Sequence, residues 1–154
     1  LDPVQKHHVR EMIRGLTKDK IVINSTHILE EVTAVCSRAI IIAAGTLLAD
    51  CTPDELEARS RYHLATKIQF VGEAQLAAHR GVLTALPDVV GSEVAAFSME
   101  LTLFPSDESG SSQRVAQKTV DYLRDYGADV TGVFQERGRL DEVFREVTGL
   151  QSGN

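Results

Sequence analysis

The sequence predicts an α/β chain of the α+β kind, organised as two small units over residues 1–62 and 63–154. Three observations carry that expectation. Ile21-Val22-Ile23 and Ala39–Ala43 are short, continuous apolar runs rich in β-branched residues, which suit strands buried on both faces. Asp2-Pro3-Val4-Gln5 and Thr52-Pro53-Asp54-Glu55 each join a capping side chain, a proline at the first helical position and a Gln or Glu that reaches back to the cap. Beyond residue 63 the pattern becomes one of strands alternating with amphipathic helices.

In the first unit, Val9, Met12, Ile13 and Leu16 continue the helix begun at Asp2, and Gly15 weakens its last turn. Lys18 to Lys20 form a polar turn into the Ile21–Ile23 strand. Asn24-Ser25-Thr26-His27 lies where that strand ends and a second helix begins. Ile28, Leu29, Val32, Val35 and Cys36 form the buried stripe of this helix, with Glu30 and Glu31 near its positive end. Gly45 permits a turn after Ala39–Ala43, so Thr46–Asp50 returns as a paired strand. The helix that starts at Thr52 runs to about Arg59, and Ser60–His63 connect the units.

In the second unit Leu64–Val71 reads as a strand and Glu73–Leu86 as a helix interrupted at Gly81 and stopped by Pro87. Val89–Ala95 is a strand. Phe97, Met99, Leu101 and Leu103 alternate with polar residues as a half-buried strand. Val115, Thr119, Tyr122, Leu123 and Tyr126 mark a helix closed by Gly127, and Ala128–Gln135 is a last strand. Leu140, Val143, Phe144 and Val147 place a final helix before Gly149. The first six elements follow the β-α-β-β-α-β order of a ferredoxin-like unit, with an extra C-terminal helix.

Composition narrows the function. A formal net charge of -6 gives no long-range attraction to nucleic acid or an anionic membrane, so no nucleic-acid partner is expected. The apolar runs fall far short of the roughly 20 residues that span a bilayer. Cys36 and Cys51 are not at a metal-ligand or redox spacing. They suit a reduced, cytoplasmic setting, although the sequence leaves a disulfide open.

Leu1-Asp2-Pro3 and Ser25-Thr26-His27 stand on either side of one helix and one apolar run. In that order they resemble the D-loop end and the switch-histidine loop of ABC-transporter ATP-binding subunits. Ile21–Glu31, the Ala39–Gly45 strand and turn, and the Thr52–Leu56 helix start are similar to the family's segments that follow, over roughly the first 60 residues. Leu140–Phe144 with Thr148-Gly149 is similar to the closing helix of a drug-export and gliding-motility-type subgroup with a small C-terminal extension. Gly138-Arg139 stand where that subgroup commonly has a capping Ser or Thr.

The resemblance implies that residues 1–62 are the C-terminal remnant of a P-loop NTPase core. His27 would be a catalytic residue that contacts the γ-phosphate and helps orient water, and Asp2 would lie at the nucleotide and dimer interface. A histidine suits that task, because phosphoryl transfer depends on positioning and charge stabilisation more than on covalent chemistry. The resemblance also implies ATP and Mg²⁺ in the intact parent, a second ATP-binding subunit and a multi-spanning permease. It implies a cytoplasmic position, peripheral on the inner face of the membrane.

The chain opens on Leu1 rather than methionine. It carries no Gly-Lys-Ser/Thr phosphate loop, glutamine loop, Ser-Gly-Gly signature or catalytic Asp-Glu strand end, all of which the family places upstream. This polypeptide alone is therefore expected to hold no cofactor and to leave ATP unhydrolysed. The alternative is a ferredoxin-like module that regulates, dimerises or binds a small effector. No metal site is expected. His7 and His8 point to different helix faces, His63 and His79 lack partners at ligand spacing, Glu30-Glu31 suit a helix first turn, and Asp107–Gly110 lacks calcium-loop periodicity.

Overall fold

The computed structural model describes residues 2–95 and 97–149, a mixed α/β chain with six helices and two antiparallel sheets among them. Two compact units emerge, Arg61–Gly138 and a unit drawn from both ends of the chain, Leu1–Ser60 with Arg139–Asn154. Among the described residues no helix is long and apolar enough to cross a membrane.

The first unit begins with α1 (Pro3–Leu16), capped as its sequence predicts. The Gln5 N–H donates to the Asp2 carboxylate at 2.8 Å, and the Asp2 N–H donates back to Gln5 Oε1 at 3.3 Å. α2 (Leu29–Val35) follows, then β1 (Ala39–Ala43) and β2 (Thr46–Cys51), paired antiparallel through a turn in which Gly45 takes φ 75°. α3 (Pro53–Glu57) carries the second capping box, between Thr52 and Glu55. Arg38 clamps Asp50 beside the hairpin through two hydrogen bonds of 2.6 and 2.7 Å, which holds the Asp50 carboxyl below its ordinary range.

Ile21–Ile23 is not a buried strand. Ile21 is 94% and Ile23 91% exposed, and neither lies in a sheet. A β-branched apolar run specifies a strand only where a neighbouring strand can take its backbone groups, and among the described residues none does. The stripe of α1 is also incompletely covered, for Ile13 is half-buried while Met12 and Leu16 are exposed. Likewise α2 contains no fully buried residue, and Ile28 is exposed.

The second unit contains β3 (Thr66–Phe70), α4 (Glu73–Thr84), β4 (Val89–Val94), β5 (Glu100–Pro105), α5 (Ser111–Asp125) and β6 (Val130–Gln135). Its sheet has the order β4-β5-β3-β6, and every neighbouring pair is antiparallel. Ile68, Phe70, Leu101 and Leu103 from the central strands form one core with Leu76 and Leu83 of α4 and Val115 and Leu123 of α5. Entry and exit run side by side, since the Leu64 N–H donates to the Glu136 carbonyl at 2.8 Å and the Glu136 N–H to that of Ala65 at 2.9 Å.

Three local expectations change here. Leu64 takes φ 61° and β3 starts only at Thr66. Phe97 and Met99 precede β5, because the chain turns there: Phe97 has φ 68° and the Ser98 N–H donates to the Ala95 carbonyl at 3.3 Å. The alternation beginning at Phe97 therefore overstates the strand. α4 passes through Gly81 without interruption.

The largest difference concerns the last helix. α6 (Leu140–Thr148) has the expected apolar stripe, and Arg139 supplies no side-chain cap. Its Leu140 and Val143 are buried with Ala39, Ile41, Ala49 and Leu56, so α6 belongs to the core of the first unit and not to a 63–154 unit. Helical periodicity sets which face is apolar; it carries no information about which sheet covers that face.

Candidate functional site

His27 sits in the segment that leads into α2. The Thr26 hydroxyl accepts the Ile28 N–H at 3.0 Å, a local turn that starts this helix where a cap residue would otherwise do so. The imidazole is exposed and makes no hydrogen bond, ion pair or ring contact with a described residue. The strand expected to hold its loop rigid is an exposed segment outside any sheet instead.

Asp2 is exposed and its carboxylate accepts the Gln5 N–H, so in this structure it serves as a helix cap. Leu1, the first residue of the D-loop-like triplet, lies outside the described residues.

The concave surface near these segments is a shallow, open groove between α1, Asn24 and α2. Lys6, Val9, Arg10 and Ile13 line one side, and Asn24, Glu31 and Val35 the other. Neither Asp2 nor His27 lines it. Arg10 reaches Glu30 at 3.9 Å, and Arg14 donates to the Ala34 carbonyl at 2.9 Å, so the cations on α1 are directed at α2. The groove carries both signs of charge around an apolar floor of Val9, Ile13 and Val35. Sequence reasoning missed it because its lining comes from residues up to 29 positions apart, between Lys6 and Val35.

His8, His63 and His79 have ordinary structural partners, and His7 meets the His8 ring edge-on with centroids 6.4 Å apart. His8 Nδ1 lies 3.1 Å from the Val4 carbonyl, one helical turn back. The His79 ring stacks on Phe70 with centroids 6.4 Å apart, and its Nδ1 lies 3.1 Å from the Tyr122 hydroxyl. His63 Nδ1 faces the Arg137 carbonyl. Glu30 and Glu31 occupy the first turn of α2. Glu108 lies 3.6 Å from Arg114, in the loop that Gly110 closes with φ 76°. Among the described residues, no three His, Cys, Asp or Glu side chains form a group able to hold a metal ion. Cys36 and Cys51 are free and half-buried.

In the second unit a polar cluster also went unread. Tyr62 is 6% exposed, although it falls in the segment read from sequence as a connection. Its hydroxyl donates to Glu93 at 2.8 Å, and the Arg61 guanidinium lies 4.8 Å above its ring. Burial pushes the Tyr62 phenol up from its usual range. The Arg-Tyr pair before the first strand was the available signal.

Asp88 is held by two cations of α5. Arg114 grips both carboxylate oxygens at 3.0 Å and Lys118 lies at 3.6 Å, which holds its carboxyl below the ordinary range. This cluster pins α5 to the turn before β4.

No protein-family model matches the chain, and no curated protein matches it.

Proposed function

We propose that the chain is the C-terminal portion of an ABC-transporter ATP-binding subunit, which couples ATP hydrolysis to movement of a substrate through a membrane permease. The observation that carries this reading is the ordered series in the first unit. Leu1-Asp2-Pro3, then Ser25-Thr26-His27, then Ala39–Gly45, then Thr52–Leu56 follow one another as in that family. The local structure is compatible with it: Asp2 opens a helix, the Ser-Thr-His stretch leads into α2, and the Ala39–Gly45 segment forms a strand and turn.

In this reading the first unit is the remnant of a P-loop NTPase core. His27 acts on the γ-phosphate, and Asp2 lies at the interface with a second ATP-binding subunit. ATP and Mg²⁺ belong to the intact protein, where the phosphate-cradling amides and lysine come from upstream segments. The exposure of His27, with no described partner, suits a side chain whose partner is a bound nucleotide. The Arg61–Gly138 unit is read as ferredoxin-like, supported by its β-α-β-β-α-β order and its β4-β5-β3-β6 sheet. The protein is then cytoplasmic and held at the inner face of the membrane by the permease.

The test has two arms. The coding sequence ahead of Leu1 is expected to supply a phosphate loop, a Ser-Gly-Gly signature and an Asp-Glu strand end; an unrelated segment there would refute the reading. With that segment expressed, ATP hydrolysis is expected, and His27→Ala should lower its kcat by about 100-fold or more. The 154-residue chain alone should show no turnover. Turnover by this chain that His27→Ala abolishes would overturn its expected inactivity.

A second reading treats Arg61–Gly138 as a regulatory, dimerising or effector-binding module. Its self-contained core and its separation as a compact unit favour this. A thermal-shift screen that raises the melting of this unit alone would support it.

A further inference from the structure

The second unit interrupts the first. The chain leaves the first unit after Ser60, runs through Arg61–Gly138, and returns at Arg139 to add α6. On the first-unit side, the Ser60 hydroxyl donates to the Glu142 carboxylate, which ties the point of departure to α6. On the second-unit side, the entering and leaving segments are paired as well. Leu64 and Ala65 exchange backbone hydrogen bonds with Glu136, and His63 Nδ1 faces the Arg137 carbonyl. While the second unit is folded, residues 61–62 and 138–141 are all that separate these two ties.

α6 depends on being held in place. It has 9 residues and no side-chain cap at Arg139. Isolated helices shorter than about 12–15 residues are marginal in water, so α6 persists only while docked. Its docking rests on a few apolar side chains. Leu140 and Val143 are buried among Ile41, Ala49 and Leu56, and Phe144 and Val147 pack partly against them. A contact of that size is sensitive to how often the tether brings its two sides together.

Unfolding of the second unit turns that tether into a loop of residues 61–141. The loop is then roughly 13 times longer and closes about 50 times less often, by the 3/2-power dependence on length.

We propose that the second unit is a conformational clamp on the first. Folded, it presents α6 to the core of Ile41, Ala49 and Leu56; opened, it releases α6. The link is the pair of chain crossings at Ser60-Arg61 and Gly138-Arg139, so whatever orders or melts Arg61–Gly138 reaches the first unit through connectivity. This does not depend on the ATP-binding reading.

The test lengthens the tether in the full chain while both units stay folded. Inserts of about 8 and about 24 Gly/Ser residues between Gly138 and Arg139 should lower hydrogen-exchange protection of amides 144–148 by about 4-fold and about 10-fold. Amides of β3 and β5 should keep theirs, which reports that the second unit is intact. Comparing the two lengths cancels any fixed effect of cutting into the turn at Gly138, where φ is 132°. A second variant, Leu101→Asp, puts a carboxylate at a fully buried position of β5 and unfolds the second unit. Protection of amides 144–148 should then fall by about 50-fold and no further. Equal protection in the two insertion variants would overturn the proposal, because α6 would then dock regardless of its tether. So would α6 protection that survives unfolding of β3 and β5, or a loss far beyond the closure factor, the mark of two units that unfold as one body.

Discussion

Val143→Ala tests the assignment of α6 to the first unit. Val143 is fully buried among Ala39, Ile41, Ala49 and Leu56. The substitution removes two methyl-sized groups, worth about 1.6 kcal/mol in lost transfer free energy at ~0.8 kcal/mol each. Incomplete collapse around the space left behind adds to this, for a total of about 2 kcal/mol. Because the two units have separate cores, the loss should appear in one of them. Native-state hydrogen exchange resolves it. Amides of β1 and β2 that exchange through unfolding of their unit should lose protection by about 25-fold, the factor equivalent to 2 kcal/mol. Amides of Ile68 and Leu101 should keep theirs. Loss confined to β3 and β5, with β1 unaffected, would refute the reasoning and return α6 to the second unit.

Two further outcomes follow from the backbone and the charges. Gly81→Ala should stabilise the second unit by about 0.5–1 kcal/mol, because Gly81 lies in α4 with open space where a Cβ would point. Gly127→Ala should instead destabilise it by about 1 kcal/mol, because Gly127 holds φ 62° at the end of α5; denaturant melts of the pair read the contrast. Acid sensitivity should reside in Asp88, Asp50 and Glu55, whose folded-state values are held low mainly by hydrogen bonds from Arg114, from Arg38 and from the Thr52 backbone, respectively. A depressed carboxyl contributes stability that is complete above its unfolded-state value and is lost as pH falls through the folded one. Melts of Asp88→Asn against wild type should converge on acidification below the ordinary carboxylate range, and an unchanged gap would contradict the assignment.

How far the sequence could be read differs between the two halves. Both capping boxes form with the partners their spacing names, because a cap is a contact between residues three apart and needs no tertiary context. The order of strands and helices from β3 to β6 was equally legible, since adjacent elements there pack on one another and local periodicity matches local burial. The turn at Phe97 was not legible, because an apolar residue in a turn looks like one more step of an alternating strand. At the candidate site, the sequence placed His27 correctly before a helix, whereas the support expected beneath it from Ile21–Ile23 is not formed.

By itself, then, the sequence determined the two capped helix starts and the order of elements from β3 to β6. Tertiary structure alone decided three things: that Ile21–Ile23 stays exposed, that one face of β1 is uncovered, and that α6 closes the core begun by the hairpin. The physical reason is common to all three. Caps and periodicities are settled within a few residues, but burial of an apolar face depends on which distant surface arrives to cover it.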